Sequence, residues 1–354
     1  MKMDFRLEEW TPPTEGAHLG IAIVGAGQVV NGAHLPAYLK GGLNVVGIFD
    51  RDQAKAEATA GRFGVAKVYR SLEELLDDPA VDVVDIAVPG VEQKTIALAA
   101  AGRRKHLLCQ KPLAASLDDG REIVAGAKAA GVQLAVNMNG RWDPALRSAK
   151  TLVADGFLGA PRFVRFEVSG GGWPSTGWIA AGRHMSILYN IIHCLDYLRH
   201  CFGEPERVSA TDISFPDQKP PGDRMAIVTM EFPEHLRGLV IQDSYASASP
   251  ARWFFQFEGT EGVIEGEPGW YEYPNPRPST IRFASRDWDW TWAAPKLAGC
   301  WLPDGWLGSM TALQQAVVTG RPAHTSGDDN LKTLELVFAT YDAIDERRVV
   351  ELDL

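Results

Sequence analysis

The sequence predicts an α/β chain in two domains. Residues 1–140 read as a doubly wound parallel sheet, and 141–354 as an α/β domain on a large open, mostly antiparallel sheet. Three observations carry this. Short apolar runs rich in β-branched residues alternate with helical patterns through the first half, as strands buried on both faces do. Short strand patterns parted by Pro- and Gly-containing turns crowd residues 207–283, as in an antiparallel sheet. At 354 residues, 45% hydrophobic and 23% charged, the chain has material for two such cores.

The first strand pattern is Leu19–Val24, followed at once by Gly25-Ala26-Gly27, a helical pattern opening at Gln28 and Val29, and a second strand, Val45–Phe49, ending in Asp50. Glycines there let the backbone approach a pyrophosphate, and the helix start offers it N–H groups. An acid at the end of the second strand, about 20 residues on, can bond a ribose 2′-hydroxyl and repels a 2′-phosphate. The unit therefore predicts dinucleotide binding, with NAD preferred over NADP. The third glycine of the usual fingerprint is replaced by Val30. Arg51 beside Asp50 could stack on an adenine.

The alternation continues in order. Gln53–Phe63 is a helix stopped by Gly64. Ser71 caps a short helix, with Glu74 completing a capping box. Val81–Val88 is a buried strand broken by Pro89, and Glu92–Ala101 a helix. His106–Cys109 is a strand leading to Gln110-Lys111-Pro112. Leu117–Ala130 is a helix closed by Gly131, and Val132–Val136 the next strand. Ligands of such sheets sit at the carboxyl ends of the strands. Gly25, Asp50, Val88-Pro89, Gln110-Lys111 and 137–141 should therefore gather on one edge. Beyond residue 140, Asp143 caps a helix with Pro144 in its first turn. Residues 161–169 alternate as a strand, and a glycine- and tryptophan-rich loop precedes a helix over Met185–Phe202. Strands follow at 207–214, 224–232, 236–246, 252–258 and 262–267. Two helices, Trp306–Val318 and Asp328–Asp345, and a strand, Arg348–Leu352, end the chain.

The net charge of −10 argues against a nucleic-acid partner. The N-terminus lacks the apolar core of a Sec-type signal, and no apolar run approaches membrane-spanning length. The four cysteines form no disulfide or zinc pattern, so a cytoplasmic location and no metal are expected.

Several motifs together resemble the Gfo/Idh/MocA family of sugar and polyol oxidoreductases. They are Gly25-Ala26-Gly27 with "HLPA" (34–37), Asp50, "AVPG" (87–90), "CQKPLA" (109–114), "HCLDYLRHCFGEP" (193–205) and "SGDDNLKTLELVFATYDA" (326–343). The resemblance implies a Rossmann domain binding NAD, joined to a substrate-binding and oligomerisation domain, as a homodimer or homotetramer. Two departures from the family pattern bear on the mechanism. The family's usual Glu-Lys-Pro is here Gln110-Lys111-Pro112, which removes a negative charge beside Lys111. Its usual Asp-x-x-x-His has Tyr189 in place of the acid before His193.

On this resemblance Lys111 bonds the substrate oxygen, and His193 takes the hydroxyl proton, since imidazole ordinarily titrates near neutrality. Tyr189 is a neutral donor or relay. Gln28, Val29, Arg51, Val88, Pro89, Gln110 and Asn139 join Gly25, Gly27 and Asp50 around the cofactor. Arg141, Trp142, Trp173, Trp178, Arg183 and His184 join the catalytic groups around the substrate. Indoles stack on sugar C–H faces, and the cations suggest an anionic sugar. The expected reaction is oxidation of a ring hydroxyl, C3 first, of a sugar, glycoside or cyclitol. The alternative is a redox-neutral glycosidase, possible on the same fold, that oxidises C3 transiently, eliminates the aglycone, adds water and reduces the sugar again.

Overall fold

The structure, a computed structural model, describes residues 7, 10–170, 184–215, 218, 222–244, 251–269 and 277–354. The elements run in the expected alternation: β1 (Ile21–Val24), α1 (Leu35–Lys40), β2 (Val45–Phe49), α2 (Gln53–Phe63), α3 (Leu72–Asp77), β3 (Val83–Ile86), α4 (Gly90–Gly102), β4 (His106–Cys109), α5 (Leu117–Ala130) and β5 (Leu134–Val136). There follow α6 (Pro144–Ala154), β6 (Pro161–Ser169), α7 (Ile192–Phe202), β7 (Arg207–Ile213), β8 (Met225–Glu231), β9 (Arg237–Asp243), β10 (Arg252–Gly259), β11 (Gly262–Glu267) and β12 (Thr280–Ser285). Then come α8 (Trp301–Thr319), α9 (Gly327–Glu346) and β13 (Val350–Glu351).

Local chemistry fixes the helix ends. Asp52 and Ser116 accept the N–H groups of Lys55 and Asp119 at the starts of α2 and α5. At α3, Ser71 Oγ accepts from Glu74 N–H, and the Glu74 carboxylate reaches back to the N–H of Arg70. Left-handed Gly64 and Gly131 end α2 and α5. Two stretches depart from the plain helices that the sequence suggests. Val30–His34, before α1, and Ile187–Ile191, before α7, are π-helical.

The chain divides into two compact units. One contains Thr11–Trp142 and Leu302–Leu331. The other contains Asp143–Trp301 and Lys332–Leu354, with the N-terminal segment to Trp10. The sequence suggests one cut near residue 140, yet 302–331 groups with the first unit. The reason is continued pairing along β5. Ser326 bridges Ala135, Val136 N–H bonds Thr325 O at 2.8 Å, and Gly327 lies against Leu134.

The first unit holds a parallel sheet of order β2-β1-β3-β4-β5. β1, β3, β4 and β5 are almost wholly buried, as helices on both faces require, while edge strand β2 is partly buried. The second unit holds an eight-stranded sheet of order β12-β11-β10-β6-β9-β8-β7-β13, antiparallel except where β6 runs beside β9. Tyr197 of α7 packs its ring on Phe166 and Phe257 of that sheet. The opposite face carries ion pairs such as Arg282–Glu265 and Arg252–Glu167, and exposed Ile213 and Ile227.

Candidate active site

Sheet register decides which residues share an edge. Val24 lies opposite Phe49 and Ile86, Ile86 opposite Cys109, and Cys109 opposite Val136. The ladder runs one residue further. The N–H groups of Gly25, Ala87, Gln110 and Asn137 bond to the carbonyls of Phe49, Val24, Ile86 and Cys109 at 2.7, 2.8, 3.0 and 2.8 Å. Asp50, Gly25, Ala87, Gln110 and Asn137 thus stand in one row at the carboxyl ends of the strands. Val88, Pro89, Lys111 and Asn139 follow just beyond them in the chain.

The glycine turn is tailored at two positions. Gly25 has φ +111°, and a Cβ there would stand 2.5 Å from the Ala87 carbonyl oxygen. Gly27 differs: a Cβ would meet nothing within 4 Å, so the backbone there opens onto space that a diphosphate can approach. Asn31 takes the place of the missing third glycine as a tie. Its amide donates to the carbonyls of Ala26 and Gly27 and to Thr59 of α2. Gln28 and half-exposed Val29 begin the helix that follows. Asp50 accepts the N–H groups of Ala26 at 2.7 Å and Asp52 at 2.8 Å. A carboxylate keeps further lone pairs, so it can accept from ribose hydroxyls as well. Arg51 pairs with Glu92 at 3.1 Å on the surface. These donors, acceptors and open glycine fit an NAD-type dinucleotide.

At the end of β4 the main chain around Lys111 is gripped from both sides. The Gln110 side-chain oxygen accepts the Lys111 N–H at 2.9 Å. Gln93 of α4, wholly buried, donates to the carbonyls of Gln110 at 2.9 Å and Pro112 at 2.6 Å, spanning Lys111. Desolvation lowers the Lys111 ammonium from its ordinary value to about 8. Behind Gln110 lies a buried polar chain that the sequence reading missed. His34 meets the Gln110 amide at 2.9 Å and Asp85 at 2.7 Å, and Tyr38 donates to Asp85 at 2.7 Å. The signal was present in the sequence: an aspartate inside the apolar run of β3 must find partners, since an unpaired buried charge is costly.

Arg141 and Trp142, expected to touch substrate, are engaged within the unit. The Arg141 guanidinium donates to His324 O at 2.5 Å and to Asp329 at 2.6 Å, and is nearly inaccessible. Trp142 packs on His324 and under Gly308, where a Cβ would stand 2.2 Å from the indole. Asn139, also buried, donates to Asn137 O at 3.2 Å.

In the second unit, Tyr189 sits in the π-helical turn and His193 in the first turn of α7. Both are buried, and burial raises the Tyr189 phenol, which keeps its proton at neutral pH. The His193 ring meets fully buried Trp301 edge to face at 5.3 Å, and Trp301 meets Trp253 at 5.1 Å. The start of this helix is anchored by Asp223, which accepts the N–H groups of Met185, Ser186 and Ile187 at 2.7–2.8 Å. The Tyr341 hydroxyl donates to the same carboxylate. His184 stacks on Tyr341 at 4.1 Å, with Asp345 3.6 Å away. Trp173, Trp178 and Arg183 lie outside the described residues. Among the described residues no helix is long and apolar enough to cross a membrane, and no group of three or more His, Cys, Asp or Glu could hold a metal ion.

Known proteins resemble the chain over most of its length. Residues 19–138 match a family model described as an oxidoreductase family with an NAD-binding Rossmann fold, and residues 146–265 match that family's C-terminal domain. D-apiose dehydrogenase of Paraburkholderia graminis is 31% identical over 330 residues, 88% of this chain and 84% of that protein. Myo-inositol 2-dehydrogenase of Thermotoga maritima is 26% identical, covering 82% of this chain and 86% of its own. The structure of a levoglucosan dehydrogenase in complex with NADH and L-sorbose superimposes with a TM-score of 0.82 at 21% identity, over 95% of this chain and 99% of that one.

Proposed function

The chain belongs to the Gfo/Idh/MocA family of NAD-binding oxidoreductases, and from that premise we propose that it is a dehydrogenase of a ring hydroxyl on a neutral sugar or cyclitol, with C3 the first position to test. The observation that carries this reading is Lys111. It follows the row that contains the glycine turn and Asp50, its main chain is gripped on both sides, and its charge is tuned to about 8. The residues named above would hold NAD, which supplies the hydride acceptor when bound.

The protein groups handle the proton and the developing charge. Lys111, as an ammonium, donates to the substrate hydroxyl oxygen and stabilises negative charge as the C–H bond breaks. His193 takes the hydroxyl proton, and Tyr189, held protonated, donates a hydrogen bond beside it. The carbon gives up its hydrogen as a hydride with both electrons of the C–H bond, and the oxygen gives up its proton to His193, so a ketone results. A neutral substrate is favoured over an anionic one. Arg141, expected beside an anion, pairs with Asp329, and the His184 ring stacks on Tyr341 beside Asp345. Exposed Ile213 and Ile227 on the open sheet support self-association through that face.

The test is NADH formation by the purified protein with NAD and a panel of D-apiose, myo-inositol, levoglucosan and their carboxylated analogues. One NADH per ketone formed, with neutral substrates preferred, is the expected result. Glycoside cleavage with no net NADH would overturn it in favour of the redox-neutral route.

A further inference from the structure

We propose that the amide at position 110 holds His34 as a neutral imidazole protonated on Nδ1, and that this locked Asp85–His34–Gln110 chain is a positioning device for Lys111. The inference follows from donors and acceptors. The Lys111 backbone N–H can only donate, so the Gln110 atom 2.9 Å away is the carbonyl oxygen. The amide nitrogen must then face His34 Nε2, also at 2.9 Å. An amide NH2 only donates, so Nε2 carries a lone pair and the ring proton sits on Nδ1. Nδ1 donates to Asp85 Oδ2 at 2.7 Å, the oxygen that also accepts from Tyr38. A single backbone N–H thus dictates the tautomer of a side chain two hydrogen bonds away.

The surroundings of His34 agree with a fixed, desolvated ring. His34, Tyr38 and Asp85 are wholly buried. Tyr38 of α1 faces the ring, Asp85 faces it from β3, and Trp306 of α8 lies at 6.3 Å. The Cys109 thiol closes β4 near Asp85, and burial pushes both that thiol and the Tyr38 phenol far above neutrality. The Lys40–Asp304 pair joins the end of α1 to α8. Glutamate at 110 would change the outcome. A carboxylate cannot donate to Nε2, so the imidazole would have to take a second proton to bridge two carboxylates. The residue beside Lys111 would then carry charge.

The test uses full-length protein labelled with 15N in histidine, read by two-bond 1H–15N imidazole spectra. His34 is assigned by its loss in His34→Gln or, should that chain not fold, by its shift in Gln110→Glu. The expected wild-type pattern at neutral pH is a protonated Nδ1 and a bare Nε2. Gln110→Glu should show both nitrogens protonated, and Lys111 should titrate about one unit higher, as for a group gaining a nearby opposite charge. A wild-type His34 protonated on Nε2, or on both nitrogens, overturns the proposal. So does a Lys111 titration unmoved in Gln110→Glu. The positioning role rests on Lys111 acting on substrate, as proposed above, but the titration is read from its Nζ resonance. A protein inactive on every sugar would therefore sink the function while leaving this test intact.

Discussion

Lys111 is held through its main chain. Gln110 and Gln93 make three directional bonds around it, and a buried His–Asp pair stands behind. His193 is held against flat aromatic surfaces, with Trp301 edge to face and Trp253 beyond. The two groups proposed to share one hydride transfer are thus placed by different physics. Hydrogen bonds set a position in all-or-none fashion, since losing a donor strands a buried acceptor. Aromatic packing sets it in proportion to the volume filled.

Removing the amine has the largest expected consequence. Lys111→Ala should lower kcat/KM by roughly 10²–10⁴-fold, the range for a positioned proton-handling group. In the intact enzyme, raising the pH above about 8 converts the ammonium to an amine, so kcat/KM for oxidation should fall there. Lys111→Arg, which keeps its charge, should move that alkaline limb out of range. A steady-state pH profile of the three chains decides it. An unchanged limb in Lys111→Arg would assign it to another group.

On the packing side, Trp301→Ala empties a fully buried site and should cost about 3–5 kcal/mol of stability in urea unfolding. Trp301→Phe keeps a ring at smaller volume and should lose about 1–2 kcal/mol, with kcat falling in step. If packing places His193, the two losses scale together. A collapse of kcat in Trp301→Phe without loss of stability would point to a directional contact instead.

What was legible in the sequence follows the same division. β4 and α5 fall where the apolar runs and caps put them, because a buried parallel strand and a capped helix are local facts. The row of sites followed, since register places the ends of parallel strands together. The chain His34–Asp85–Gln110 joins residues far apart in sequence, and no periodicity announces it. The π-helical turns at Val30–His34 and Ile187–Ile191 change backbone hydrogen bonding while leaving the side-chain pattern helical. β12, Thr280–Ser285, alternates between polar and apolar residues only over its first four positions, beside a tryptophan-rich stretch, so its strand signal is short. The Arg141–Asp329 pair likewise joins residues far apart in the chain, so the sequence alone shows the guanidinium and not its partner.

Asp143 sharpens the cost of directional bonding in a buried place. It caps α6, accepting from Ala145 at 2.9 Å and Leu146 at 3.0 Å, and it also accepts from Ser279. Burial nevertheless outweighs these bonds and raises its carboxyl to about 6. Below the ordinary carboxylate range both states hold the proton. Between about 4 and 6 the unfolded chain releases it first, so stability falls as pH rises, and above about 6 the loss is complete. Asp143→Asn keeps a capping oxygen and does not titrate. The wild type should therefore lose about 3 kcal/mol relative to Asp143→Asn across that window, seen by urea unfolding at several pH values.

The smallest expected effect tests the grip itself. Gln93→Met keeps the volume of the side chain and removes both donors to the carbonyls that flank Lys111. If those bonds place the amine, kcat should fall about tenfold, about 1.4 kcal/mol of transition-state stabilisation. KM for NAD should hold, because the glycine turn and Asp50 lie on other strands of the row. Stability should fall by about 1–3 kcal/mol through the stranded carbonyls. Restoring a donor as Gln93→Asn, one methylene short, should recover stability in part but turnover hardly at all, because the bonds to Gln110 and Pro112 constrain geometry and not merely polarity. Equal recovery of both would mean that Gln93 only satisfies buried carbonyls and that Lys111 takes its place from elsewhere.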